Sequence, residues 1–149
     1  MSLQSQINEH IKDAMRAKET LKLEALRAVK AEILKALTET GAKEELAADD
    51  EIKLLQRMVK QRKESANIFT QQGRADLAQP ELDQAAIIEA YLPAQLSEDE
   101  VKAAVQAIID ANGWAGMPNM GKVMGAASAQ LAGQVDGKTL SSVVKALLS

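Results

Sequence analysis

Apolar residues recur every three or four positions along most of the chain, and this spacing limits the fold more than any other feature. The first such stripe contains Leu3, Ile7 and Ile11, and the last contains Leu140 and Val144. This period places apolar side chains on one side of a helix, whereas a strand would need strict alternation. Ala, Leu, Lys, Glu and Gln, which favour helices, dominate the composition, and only three of 149 residues are aromatic. We therefore predict an all-α protein.

Capping residues, glycines and prolines mark where the predicted helices begin and end. Ser2 can cap the first helix, and Gly41 ends the second. Asp49 or Asp50 is predicted to cap the third helix, and Pro80 suits the first turn of the fourth. The predicted packing positions of the fourth helix share helical spacing and are Leu82, Ala85, Ala86, Ile88 and Leu92.

A domain boundary is predicted between Leu92 and Ser97. Pro93 ends the fourth helix, because the residue before a proline is pushed out of helical geometry. Ser97 and Glu100 then match a capping box, which indicates a new helix start. We expect an N-terminal bundle of long helices over residues 1–93 and a compact three-helix domain over 94–149.

The composition limits the chemistry of the chain. The net charge is −3 and the pI about 5.3, which argues against a general nucleic-acid coating protein. The chain has no cysteine and no apolar run long enough for a membrane span or a signal peptide. Its single histidine, His10, is predicted to be solvated. We expect a cytoplasmic protein with no membrane contact, no metal site, no cofactor and no catalytic residue.

The stretch AGQVDGKT, residues 132–139, resembles a phosphate-binding loop at its end only. Gly137, Lys138 and Thr139 fill the last three places of G-x-x-x-x-G-K-[ST], but Ala132 stands at the first. The residues before it lack the β-branched run of a strand. We therefore predict a turn between helices rather than a nucleotide site.

A basic segment, KLLQRMVKQRK, lies within the third predicted helix. Its positive residues are Lys53, Arg57, Lys60, Arg62 and Lys63, with no acid among them. The first three share one side of a helix, which could follow a phosphate backbone. The alternative is a solvated surface paired with acids from neighbouring helices.

Small residues recur every four positions near the C-terminus, at Gly121, Gly125, Ala129 and Gly133. Such a stripe lets another helix pack closely, and a larger side chain at Gly125 would then meet a packed neighbour. The same smooth surface would also admit a sugar-phosphate backbone or a partner helix. Residues 111–149 carry three lysines against a single acid, Asp136, so this part of the chain is mildly basic.

Five segments, taken together, carry a resemblance to a known family: KQRKESANIF, GRADL, EAYLPAQLSEDE, MGKVMG and DGKTLSSVVKALL. In this order they resemble the GatB/YqeY family, specifically its small stand-alone YqeY-like proteins, over essentially the whole chain. The resemblance implies two all-helical domains. The second would be similar to the tail of the B subunit of the tRNA-dependent amidotransferase, a tail associated with tRNA.

The resemblance also implies which residues contact nucleic acid and which partners to expect. Carried over by position, the candidates are Gly121, Lys122 and Gly125 in MGKVMG, and Gly137 and Lys138 in DGK. The basic helix adds a second candidate set, Arg57, Lys60, Arg62 and Lys63.

The expected partners are tRNA and an amidotransferase or another tRNA-handling protein. The kinase domain and amidase subunit of the amidotransferase do not fit in this chain, so we expect no enzyme activity from it alone. The alternative function is a protein–protein adaptor with no RNA contact. The oligomeric state is left open.

Overall fold

A computed structural model describes residues 2–41 and 45–149. This part of the chain contains α-helices, one short 3-10 turn and no strand, which confirms the predicted all-α class. The helices are α1 (Leu3–Arg16), α2 (Thr20–Thr40), α3 (Ala48–Gln71), α4 (Ala75–Glu89), α5 (Glu98–Asn112), α6 (Met120–Gln130) and α7 (Gly137–Leu148), and the 3-10 turn is Met117–Asn119. No helix of these two ranges is both long and apolar enough to cross a membrane.

Contacts divide the chain into two compact units, unit 1 (Met1–Leu92) and unit 2 (Pro93–Ser149). In unit 1, α3 packs along α4, α1 packs along α2, and α2 also contacts α3 and α4. The centre of its core is formed by fully buried side chains, among them Ile7, Leu26, Leu55 and Ile88. The Oγ of Ser2 accepts the backbone N–H of Ser5, so the predicted cap of α1 is confirmed.

Two predicted helix starts in unit 1 are wrong. α3 begins at Ala48, with Ala47 as a cap that has no side-chain hydrogen bond, and Asp49 and Asp50 lie inside its first turn. Carboxylates in that turn interact favourably with the helix dipole without acting as the cap. α4 begins at Ala75, so Pro80 lies inside it, past the turn where a missing N–H costs nothing.

The inward side of α4 also differs from the prediction. Ala85 and Ile88 are buried as expected, but Leu82 is 44% exposed and Ala86 is exposed. The buried position that the sequence pattern missed is Ala78, which precedes Pro80. Since the helix begins five residues earlier than predicted, its contact stripe extends to Ala78, and Leu82 lies beside this stripe rather than within it.

Unit 2 is a three-helix arrangement in which α5, α6 and α7 all contact one another. Val101, Val105, Val123 and Val144 are fully buried at its centre. Trp114 is half-buried against this core, as expected for a residue that packs at a helix junction. The start of α5 is the predicted capping box: the backbone N–H of Glu100 and the Oγ of Ser97 are 3.2 Å apart, and the Glu100 carboxylate accepts the Ser97 N–H at 3.0 Å.

Candidate nucleic-acid interface

Two of the basic residues of α3 form ion pairs with neighbouring helices. Arg57 Nη2 lies 3.5 Å from Glu32 Oε2 on α2, and Lys63 Nζ lies 3.0 Å from Glu89 Oε2 on α4. All four side chains remain partly exposed, so each pair contributes only about 0–1 kcal/mol to stability. The pairs nevertheless cancel most of the positive charge that Arg57 and Lys63 would offer to a polyanion.

The remaining basic residues of α3 are also engaged, with one exception. Arg62 donates from Nε to Gln84 Oε1 at 3.0 Å and from Nη1 to a backbone carbonyl of its own helix at 3.4 Å. Lys60 lies 4.0 Å from Glu64 one turn later. Lys53 is exposed and in no ion pair with any residue that the structure describes. The geometry of this segment therefore fits the alternative of a solvated surface paired with acids.

The solvent-exposed side of α6, the α6 face, is almost smooth. Val123 and Ala127 are buried against the core of unit 2. Because each residue advances by about 100° around a helix, Gly121, Lys122 and Gly125 lie together on the opposite, exposed side. The other exposed residues of this face are Ser128 and Ala129. Lys122 is thus the one long side chain on a surface of glycine, alanine and serine.

Nothing in the described chain packs on the two glycines of the α6 face. A Cβ added at Gly121 or Gly125 would meet no atom within 4 Å. The expectation that bulk at Gly125 would meet a packed neighbour is therefore wrong. Gly133 does not belong to this face, because α6 ends at Gln130 and Gly133 is buried in the following turn with φ +78°.

The start of α7 accounts for the sequence DGKT. Asp136 is the N-cap, and its Oδ2 accepts the backbone N–H of Thr139 at 3.1 Å. Burial raises the pKa of the Asp136 carboxyl, but hydrogen bonds from Thr139 and nearby backbone N–H groups outweigh it and hold the pKa below the ordinary value. Gly137 and Lys138 form the first turn of α7, and α6, not a strand, precedes the turn. The segment is a helix cap.

The turn before Asp136 is hydrogen-bonded to the first residues of unit 2. The carbonyl of Gly133 accepts Nε2 of Gln95 at 2.6 Å, and the carbonyl of Gln134 accepts the backbone N–H of Leu96 at 2.9 Å. These backbone groups are therefore used within the fold. The exposed residues of this turn region are Ala132, Asp136, Gly137 and Lys138.

Exposed lysines that form no ion pair with a described residue lie on α6 and α7, and also in unit 1 at Lys12, Lys18, Lys35 and Lys53. Lys122, Lys138 and Lys145 are exposed, and none forms an ion pair with a described residue. By contrast, Lys102 on α5 lies 3.9 Å from Glu98. Lys145 is a candidate that the sequence prediction did not include, although its seven-residue distance from Lys138 places both on one side of α7.

His10 and Tyr91 form a pair that the sequence did not suggest. His10 is half-buried rather than solvated, so that expectation is wrong. Its Nδ1 is hydrogen-bonded to the Tyr91 hydroxyl, and the two rings lie 5.5 Å apart at 42°. Burial raises the pKa of Tyr91. The pair connects α1 to the last residues of unit 1.

No group of three or more His, Asp or Glu residues in the described chain could hold a metal ion.

The family described as Yqey-like protein matches residues 4–148. No curated protein matches the chain.

Proposed function

Because the chain belongs to the YqeY-like protein family, we propose that it is a non-catalytic helical module of the cytoplasm that associates with tRNA. Unit 2 is the part that makes the contact. Its resemblance to the tail of the tRNA-dependent amidotransferase B subunit supports this assignment. The amidotransferase, or another tRNA-handling protein, would be the protein partner.

One observation carries the proposal: in unit 2, the part that resembles the amidotransferase tail, the exposed lysines of α6 and α7 form no ion pair with a described residue. A lysine without an acid nearby releases counterions when it meets a phosphate, which gives affinity that depends on salt. Lys122 and Lys138 form no ion pair with a described residue, whereas Arg57 pairs with Glu32 of α2 and Lys63 pairs with Glu89 of α4. The basic residues of α3 are therefore the weaker candidates.

The shape of the α6 face adds to the charge. Gly121 and Gly125 carry no side chain and no neighbouring atom stands over them, so a sugar-phosphate backbone can approach the helix closely beside Lys122. Gly137 plays a similar part at the start of α7, where a Cβ would also meet nothing within 4 Å.

A binding role also fits the side chains available for chemistry. The chain has no cysteine, and the imidazole of His10, its single histidine, is hydrogen-bonded to Tyr91. Neither a thiol nor an unengaged imidazole is therefore present to act as nucleophile or general base.

The test is salt-dependent binding of a fluorescently labelled tRNA transcript, measured by anisotropy. Lys122→Ala with Lys138→Ala should weaken binding and reduce the slope of log K against log salt by about one to two, since each lost phosphate contact contributes roughly 0.7–0.9. Lys102→Ala is the matched control in unit 2, because this lysine is exposed but paired with Glu98. Arg57→Ala with Lys60→Ala tests unit 1 in the same way.

Binding that is unchanged by the Lys122 and Lys138 substitutions would contradict the proposal. Binding that never rises above the level of a neutral protein would also do so. Capture of a protein partner with a shallow salt dependence, in the absence of tRNA binding, would instead favour the adaptor function.

A further inference from the structure

The exposed residues of α6 and α7 offer lysines and hydroxyls but no group that stacks on a base. Trp114 is the single aromatic residue in residues 93–149, and it packs against the core of unit 2. Proteins that hold unpaired RNA usually stack bases on exposed aromatic rings, each worth about 1–3 kcal/mol. Because Trp114 is half-buried, unit 2 offers no fully exposed ring for stacking.

The same surface also offers few of the side chains that read base edges. Residues 93–149 contain no arginine, which is the commonest side chain for such contacts. The amide of Asn119 donates to the backbone carbonyl of Ala115 at 2.9 Å. Gln130 lies about 180° around α6 from Gly121, away from the α6 face. What remains is lysine and hydroxyl groups, which most often contact phosphates and sugars.

The lysines of α7 are held at a fixed spacing. Lys138 and Lys145 are seven residues apart, which is about 10.5 Å along a helix, and their directions differ by only about 20°. Ser142, also exposed, lies between them on the same side. Because α7 fixes the distance between the two Cα atoms, both lysines can reach phosphates along one regular backbone, each through its flexible four-carbon stem.

We infer that unit 2 contacts the sugar-phosphate backbone of a base-paired arm of RNA. The contact residues are Lys122 and Lys138, with Lys145 and Ser142 in addition. This inference rests on the proposed function and specifies its binding mode. The wide, shallow minor groove of an RNA duplex displays phosphates and 2′-hydroxyls. Lysines fit the phosphates, and the hydroxyl of Ser142 fits a 2′-hydroxyl. Recognition is therefore of duplex shape and not of sequence.

The experiment compares the full chain on three labelled RNAs by anisotropy over a range of salt. The probes are a hairpin with one long paired arm, a hairpin of the same pairing with its base pairs scrambled, and polyuridine with the same number of phosphates. We expect the two hairpins to bind within about twofold of each other and polyuridine to bind about tenfold more weakly. Lys145→Ala should weaken hairpin binding and lower the salt slope by roughly 0.9, whereas Lys102→Ala should change neither.

Each other result contradicts the inference in a recognisable way. Polyuridine bound as tightly as the hairpins would overturn the duplex mode while leaving RNA association intact. Scrambling that changes the Kd by tenfold or more would show base readout. Absence of binding to all three RNAs and to tRNA would overturn the proposed function as well. Trp114 fluorescence in urea verifies that each variant is folded.

Discussion

Replacement of Gly125 by alanine should stabilise the protein. Gly125 lies in the interior of α6, is exposed, and a Cβ built on it meets no atom within 4 Å. A glycine in a helix interior is less favourable than alanine by about 0.8–1.0 kcal/mol, mainly because glycine loses more backbone conformational freedom than alanine when the chain folds. With no steric cost to subtract, we expect Gly125→Ala to raise the free energy of unfolding by about 1 kcal/mol. Leucine should be nearly as good, since its helix propensity is close to that of alanine.

The assay uses the single tryptophan of the chain. Trp114 packs against the core of unit 2, so its fluorescence during urea denaturation reports the unfolding of the unit that contains Gly125. A gain of about 1 kcal/mol corresponds to a rise in Tm of roughly 4–8 °C for a domain of this size. The matched control is Gly113→Ala: Gly113 has φ +66°, where a Cβ is strained, so the same change should destabilise by about 1 kcal/mol.

A loss of stability on Gly125→Ala would refute this reasoning, because it would mean that the α6 face is covered. RNA binding separates the structural and functional parts of the argument. If a sugar-phosphate backbone approaches the α6 face closely, Gly125→Leu should weaken tRNA binding even though the variant is at least as stable as the wild-type protein. Unchanged binding would show that the glycine is not part of the contact.

Three further predictions concern single side chains. Asp136→Ala removes the cap that accepts the Thr139 N–H, and should destabilise unit 2 by about 1 kcal/mol in urea without weakening tRNA binding, since a negative charge is lost. Burial raises the pKa of the Glu51 carboxyl above its ordinary value of 4.5. The protonated carboxyl therefore contributes its full stabilisation of the folded state below about pH 4, and this contribution is lost as the pH rises through the raised pKa. Glu51→Gln should therefore be more stable than the wild-type protein near pH 7 and no more stable near pH 3.5, as followed by circular dichroism; equal stability at both pH values would contradict this. Tyr91→Phe leaves the half-buried His10 without its partner and should lower the stability of unit 1 by about 1 kcal/mol, whereas an unchanged midpoint by circular dichroism would show that the bond contributes nothing.

The helical class could be predicted from the sequence because apolar period and capping chemistry are local properties. Gly41 and Gly113 end α2 and α5 in the left-handed conformation, and Ser97 with Glu100 caps α5 as its motif requires. Pro80 misled the prediction, since a proline is acceptable in the first turn of a helix but is also found inside one when tertiary contacts hold the helix together. The earlier start has its own local feature, Arg74 paired with Asp76 at 2.9 Å, which no standard cap pattern contains.

The candidate site was less accessible to prediction because exposure and pairing depend on the tertiary fold. Nothing in KLLQRMVKQRK shows that Arg57 faces Glu32 or that Lys63 faces Glu89, since these acids are 25 and 26 residues away in sequence. The spacing of Gly121 and Gly125 is equally consistent with a packed and an open helix side. Only the absence of neighbouring atoms decides between them.

The distribution of charge, rather than its amount, connects the fold to the proposed function. The basic segment of α3 contains the densest positive charge in the sequence, yet the fold places Glu32, Glu64 and Glu89 beside three of its five basic residues, which reduces its field. Lys122 and Lys138 are sparser, but neither forms an ion pair with a described residue, and the side chains around Lys122 on the α6 face are too small to keep a polyanion at a distance. A phosphate backbone responds to the local potential within about 8–10 Å, the screening distance at physiological salt. An acidic chain can for this reason bind RNA through a surface of few lysines, provided that those lysines are unpaired and approachable.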